Sequence, residues 1–170
     1  MTSPFPPAPS TILLVLIGTV TVILFVVRRD ASRVGNKFDT AIALSGTFVV
    51  SFLRGPTIQD THLLPTLIQM IALVGWVASL LALGRSFGIV PADRGLVQHG
   101  PYRYVRHPIY AFELLFIVAY FIAVPTPRSA VVIGALIVLQ ISRIIREEHI
   151  LQGYEEYKQR VRWRILPGVW

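Results

Sequence analysis

The chain contains no cysteine. Disulfide frameworks, thiolate metal sites and cysteine nucleophiles are excluded together. Charge is also scarce. Only 15% of residues are charged, where a soluble domain carries about a quarter. Acidic residues number 9 against 16 Lys+Arg, and no basic residue precedes Arg28. The four histidines, His62, His99, His107 and His149, fall in no metal-ligand spacing such as H-E-x-x-H. The G-x-S-x-G elbow of a serine hydrolase is missing. So are a dinucleotide fingerprint and a phosphate loop. A soluble-type cofactor domain is therefore not expected, and neither is a metal. What remains is apolar: 54% of the residues are hydrophobic. That excludes disorder, and the apolar residues come in blocks longer than a small soluble core can bury.

A helix needs roughly 20 apolar residues to cross the hydrocarbon core. Five blocks are candidates. Block 10–27 is uncharged and rich in Ile, Leu and Val. Without a positive n-region or a small-residue cleavage site, it reads as a retained helix and not a signal peptide. Block 38–53 is shorter, with Asp39 at its edge. Block 63–83 is uncharged. Block 108–124 is apolar except for Glu113, and block 127–145 is apolar between Arg128 and Arg143. Only Pro125 and Thr126 separate the last two, which predicts a tight antiparallel hairpin. The expected fold is all-α: an integral-membrane bundle of about five transmembrane helices with a C-terminal cytoplasmic amphipathic helix. It reads as one membrane domain over 1–170. Residues 10–83 hold three helices, and 84–170 hold two more together with the motifs.

The basic residues fix an orientation. Arg28, Arg29, Arg33 and Lys37 fall in the first loop. Arg85, Arg94, Arg103 and Arg106 fall in the third. Arg143, Arg146, Lys158, Arg160, Arg162 and Arg164 follow at the end. The alternate segments hold only Arg54 and Arg128. By the positive-inside rule the three rich segments are cytoplasmic and the N-terminus is outside. Topology alone accounts for the excess charge. No aromatic-basic stacking pattern calls for nucleic acid.

Two cytoplasmic stretches carry the polar information. The first, GRSFGIVPADRGLVQHGPYRYVRHPIY at 84–110, is too aromatic for disorder. Its glycines allow close backbone approach to a ligand. Tyr and Arg also anchor at headgroup level, but the density of His, Arg, Tyr and Gly favours a site. Pro108 suits the first turn of a helix. His107, Tyr110 and Glu113 or Leu114 then share a face. Glu113 lies about one turn inside the apolar block, either as a functional group or as a headgroup-level carboxylate paired with an arginine such as Arg106. In the second stretch, 143–170, Arg143 and Glu147 lie four apart on one helical face. Glu148 points about 100° away and is expected to matter less. Two adjacent carboxylates at the membrane surface suit a cationic or polyhydroxyl ligand.

At these residues the chain resembles the isoprenylcysteine carboxyl methyltransferase family, which groups with the integral-membrane phospholipid methyltransferases. The resemblance covers roughly 84–170. It rests on GLVQHGPYRYVRHPIY at 95–110, on R-x-x-x-E-E from Arg143 to Glu148, and on Tyr154 and Tyr157 ahead of the RV…PG tail. It implies S-adenosylmethionine-dependent methyl transfer at the membrane surface. The implied cofactor pocket takes Arg94, Gly95, Leu96 and Val97, then Tyr102, then His107, Pro108, Ile109 and Tyr110, with Glu147. Arg143 would meet the substrate's carboxylate, and Arg143 and Tyr110 would flank the reacting groups. The family fold is a helical membrane bundle whose last two helices form a hairpin. Two departures stand out. Phe112 occupies a position that is often Gly, and the spacer between the Glu pair and Tyr154 is shorter than usual.

The implied chemistry agrees with the absences. Methyl transfer from a sulfonium is an in-line displacement that needs alignment more than acid–base catalysis. A carboxylate nucleophile is already deprotonated near pH 7. Tyrosine faces stabilise a sulfonium by about 0.5–2 kcal/mol. Glu147 could hold the cofactor's ammonium or ribose hydroxyls, and Arg143 could grip a carboxylate through two hydrogen bonds. The expected acceptor is a membrane lipid or a prenylated molecule, with carboxyl O-methylation leading. N-methylation of an amine headgroup is the alternative, since a guanidinium repels an amine. A non-catalytic subunit or small carrier keeping the scaffold is the reading from another class. A carrier should show polar or broken helices at the midplane. Blocks 10–27 and 63–83 carry only Thr, Ser, Gly and one Gln there.

Overall fold

In hydrocarbon every backbone polar group must be satisfied within the chain, and a helix does this residue by residue. The apolar blocks all become helices. The computed structural model describes residues 9–52 and 63–170. Among them α1 spans Pro9–Val27, α2 Lys37–Phe48, α3 Leu63–Leu83, α4 Pro108–Ala123, α5 Pro127–Ile150 and α6 Tyr154–Arg160. Two strands of two residues each, β1 (Arg33–Val34) and β2 (Ala92–Asp93), pair antiparallel.

Local chemistry sets the boundaries. Asn36 caps α2: its Oδ1 accepts from the Asp39 N–H at 2.9 Å, and its own N–H donates to Asp39 Oδ2 at 2.8 Å. Thr126 and Ser129 form the same reciprocal box at the start of α5, with Pro127 at its first position. Such boxes satisfy two otherwise orphaned donors. The α4–α5 turn is the predicted hairpin, with residues 124–126 outside both helices. Helix α5 continues to Ile150, five residues past its expected end, and so carries Glu147 and Glu148 on regular helix.

The block over 38–53 behaves differently from the rest. Twelve helical residues reach about 18 Å, well short of a hydrocarbon core of about 30 Å. A 3-10 turn, Val49–Phe52, extends α2. At that end Arg128 Nε donates to the Phe52 carbonyl at 2.8 Å. At the other end Arg146 forms an ion pair with Asp39. The extended α2 thus runs beside most of α5. By length and composition two helices, Leu63–Ser86 and Pro127–Ile150, suffice to cross a membrane, while Ile12–Val27 and Pro108–Ala123 are shorter apolar helices.

The packing order is α1, α3, α4, α5, α2. Ile17 and Leu24 of α1, Leu73 and Leu80 of α3, Phe116 and Ile117 of α4, and Ile133 and Leu136 of α5 form one core. The outward faces stay apolar: Val15 and Val22 on α1, Ile71 and Val74 on α3, Ile122 on α4, and Val131 and Val138 on α5 are exposed. A belt of this extent marks a lipid-facing surface. The α3–α4 contact explains Phe112. Its ring lies in the notch left by Gly75, where a Cβ would fall 2.3–2.5 Å from ring carbons.

The three basic segments meet at one end. β1 joins the first to the third through β2. The Arg106 and His107 N–H groups donate to the Trp163 and Arg164 carbonyls at 2.9 and 2.8 Å, folding the C-terminal tail back onto the start of α4.

Candidate active site

At that end a cavity opens between the 84–107 segment, the N-terminus of α4, the C-terminal part of α5, and α6. Its wall contains Arg94, Gly95, Leu96, Val97, Tyr102, His107, Ile109, Tyr110, Arg143 and Glu147. Ten residues singled out in the sequence therefore share one cavity. Pro108 does not join them. It is fully buried as the first residue of α4, where its fixed φ starts the helix.

Glu147 faces the cavity with its side chain 22% exposed. Its Oε1 accepts from the Tyr110 hydroxyl, and Oε2 lies 3.8 Å from His107 Nδ1. The His107 and Tyr110 rings stack at 5.8 Å, 26° from parallel, as their spacing of three on one helix face allows. The carboxylate is thus held in place while part of it stays open to a ligand.

Arg143 shares the wall but does not pair with Glu147. Its Nη1 donates to Gln140 Oε1 at 3.2 Å and its Nη2 to the Ile89 carbonyl at 3.3 Å. The guanidinium sits 4.9 Å from the Tyr110 ring centroid. Gln140 in turn donates to Glu113. So Glu113 compensates Arg143 at one remove, through an amide that is itself fully buried. Glu113 is not paired with Arg106. The sequence pointed to Glu113 but missed Gln140, whose only signal was a polar residue inside an apolar helix.

Glu148, expected to matter less than its neighbour, is the more heavily bonded of the two. It accepts from His107 Nε2 at 3.2 Å, from Arg164 Nε and Nη2 at 2.9 Å each, and from the Tyr154 hydroxyl. Arg106 lies 3.8 Å away. The returning tail brings Arg164 to it, which helical spacing could not reveal. The hydrogen bonds to Glu148 also hold the Arg164 guanidinium above its ordinary pKa.

The remaining wall is aromatic and cationic. Tyr157 is buried, and its hydroxyl donates to the Tyr102 carbonyl at 2.7 Å. Burial pushes the Tyr102, Tyr154 and Tyr157 phenols above their ordinary values, so near neutral pH they are uncharged rings and hydrogen-bond donors. Arg106 is 6% exposed, and its Nε and Nη1 have no hydrogen-bond partner. Its Nη2 reaches Glu148 and the Arg162 carbonyl, but buried N–H donors left unsatisfied are costly and suit a site that receives an anionic group. Among the described residues no cluster could hold a metal.

The model of the phospholipid methyltransferase family matches residues 63–159. The chain belongs to the phospholipid methyltransferase family. The match runs from the start of α3 through nearly all of α6 and takes in every residue named in the cavity wall. Helices α1 and α2 and the whole tail after residue 159, Arg164 included, lie outside it. No curated protein matches the chain. A phospholipid methyltransferase family member is a membrane methyltransferase, and such enzymes generally use S-adenosylmethionine. The cavity fits that group. It offers a carboxylate for an ammonium or ribose hydroxyls, neutral tyrosine faces for a sulfonium, two unsatisfied N–H groups of Arg106 for a carboxylate, and apolar walls at Leu83, Phe87 and Leu96.

Proposed function

We propose that the chain is an S-adenosylmethionine-dependent methyltransferase of the membrane surface. Its leading reaction is carboxyl O-methylation of a prenylated or lipidic acceptor, in the manner of the isoprenylcysteine carboxyl methyltransferases. One observation carries this reading: Glu147, fixed by Tyr110 and flanked by His107, shares a single cavity with Arg143 and the 94–97 segment. When bound, the cofactor supplies an electrophilic methyl group on a sulfonium. Glu147 would hold the cofactor's ammonium or ribose hydroxyls, Arg106 its carboxylate, and Tyr102 and Tyr110 would lend aromatic surface to the positive sulfur. Arg94, Gly95, Leu96, Val97, His107 and Ile109 complete the pocket.

Arg143 is the acceptor's residue in this reading. It lies one helical turn deeper than Glu147, on the side from which a lipidic substrate arrives. Its Nε has no hydrogen-bond partner, which leaves capacity for an acceptor oxygen. A guanidinium at this position favours a carboxylate over an amine. Compensation by Glu113 through Gln140 narrows that preference and keeps amine N-methylation as the second reading. The membrane orientation follows the charge: five passes, N-terminus outside, and the cavity facing the cytoplasm.

The reading is tested by incubating membranes that contain the protein with methyl-labelled S-adenosylmethionine, then extracting and identifying the lipids by mass spectrometry. A labelled ester, cleaved by mild base, is expected. A base-stable label on an amine headgroup would select N-methylation. No protein-dependent label in any extract would overturn the enzyme reading.

A further inference from the structure

A second concentration of charge lies at the rim of the cavity, and among the described residues its guanidinium groups have no carboxylate partner. The β1–β2 pairing and a 2.7 Å hydrogen bond from the Arg29 N–H to the Arg85 carbonyl fasten the chain after α1 to the chain after α3. Arg85 Nε donates to the Val27 carbonyl at 3.0 Å. Gly95, on the cavity wall, has φ +92, and a Cβ there would lie 3.4 Å from Arg29 Nη1. The Arg94 guanidinium fills the space over Gly88, where a Cβ would fall 2.4 Å from Nη1. Arg28 is near enough that it adds to burial in lowering the Arg94 pKa.

Among the described residues, none of Arg28, Arg29, Arg85 and Arg94 forms an ion pair. Arg28 rests on the Phe25 ring, 3.9 Å from its centroid, and Arg94 Nε is buried without a partner. Asp93, beside Arg94 in the chain, is committed to backbone: its oxygens accept from the Gly95 and Gln152 N–H groups at 3.1 and 3.2 Å. Like charges assembled by backbone pairing repel one another unless an anion joins them. Guanidinium forks match phosphate oxygens. The exposed apolar side chains of Val22, Ile23 and Val26 run up α1 to the cluster, which sets it at headgroup depth.

We propose that this rim binds the phosphate ester of an anionic membrane lipid, whose acyl chains lie along the exposed face of α1. Arg28 and Arg29 fall outside the stretch matched by the family model, residues 63–159. Arg94 and Gly95 also line the cavity, so the rim borders the cofactor pocket; the proposal does not depend on which acceptor is methylated. It fastens the 84–97 wall of the cavity to the membrane surface.

The test uses the full chain in a neutral detergent, titrated by calorimetry with dihexanoyl phosphatidylglycerol. Saturable binding is expected, with none for dihexanoylglycerol, which lacks the phosphate. Arg29→Gln and Arg94→Gln should each weaken binding about tenfold, the loss of one charged hydrogen bond. Arg29→Lys, which keeps the charge and loses the fork, should fall between. Arg160→Gln, an exposed charge on the same side, should change affinity less than twofold. Three results would overturn the proposal: no loss in the Arg29 and Arg94 variants, an equal loss in Arg160→Gln, or displacement of the lipid by inorganic phosphate at equal concentration. The last would mean a free-anion site. S-adenosylhomocysteine is titrated into the same preparations. If it fails to bind while the lipid behaves as expected, the methyltransferase reading falls and the lipid site stands.

Discussion

Glu148→Ala removes the residue on which the C-terminal tail converges. Three side chains hydrogen-bond to it: His107, Arg164 through two nitrogens, and Tyr154; Arg106 is close by. The Glu148 side chain is only 8% exposed, so the loss is that of a buried charge with charged partners. Breaking such an arrangement costs about 3–5 kcal/mol. A sum over four hydrogen bonds to a charged group, about 1.5–3 kcal/mol each, would exceed this. The lower figure is the better one, because the bonds are not independent and Arg164, 29% exposed, regains water. Arg106, already short of partners, gains none. The assay is denaturant unfolding of the detergent-solubilised protein, with limited proteolysis to follow release of residues 151–170. Glu148→Ala is expected to lose about 3–5 kcal/mol and to expose the tail, and Glu148→Gln to lose less. An Ala variant within about 1 kcal/mol of wild type, with a protected tail, would refute the reasoning.

Other perturbations separate the roles of the remaining groups. Arg143→Lys cannot bridge Gln140 and the Ile89 carbonyl together; it should raise the KM for the acceptor found in the labelled extract and leave S-adenosylhomocysteine affinity nearly unchanged. If it abolishes cofactor binding and spares the acceptor, amine N-methylation becomes as strong a reading as O-methylation. Gly75→Leu puts a side chain where the Phe112 ring lies and should destabilise the α3–α4 pair by about 1–3 kcal/mol or more, read as earlier unfolding. A C-terminal reporter should be active on the cytoplasmic side, and activity only outside would reverse the orientation.

The long elements were legible because hydrophobic length is a strong signal. Helix α3 spans the 63–83 read from the sequence, and Pro127 marks the start of α5. The two-residue strands were not legible, since two residues carry no period. Block 38–53, read as shorter than the others, forms α2 and a 3-10 turn that ends at Phe52; where the one gives way to the other was not legible. For the cavity, ten expected wall residues were found together because the motif is local: most lie in one stretch of seventeen residues, 94–110. The order of importance of Glu147 and Glu148 was not legible. Helical spacing fixes where each points, but the bonds of Glu148 come from outside its helix: two from Arg164, sixteen residues on, and one each from Tyr154 and His107. Likewise Arg143 and Glu147 share a face, yet Tyr110 takes one and Gln140 the other.

The cavity around Glu147 is expected to hold S-adenosylmethionine. Calorimetric titration of S-adenosylhomocysteine into the folded protein, wild type against Glu147→Ala, tests it most directly. One saturable site is expected in the wild type, weakened in the variant by about 1.5–3 kcal/mol, a charged hydrogen bond's worth. Equal affinity in the two folded proteins would remove Glu147 from the pocket, and no binding to wild type would contradict the claim outright.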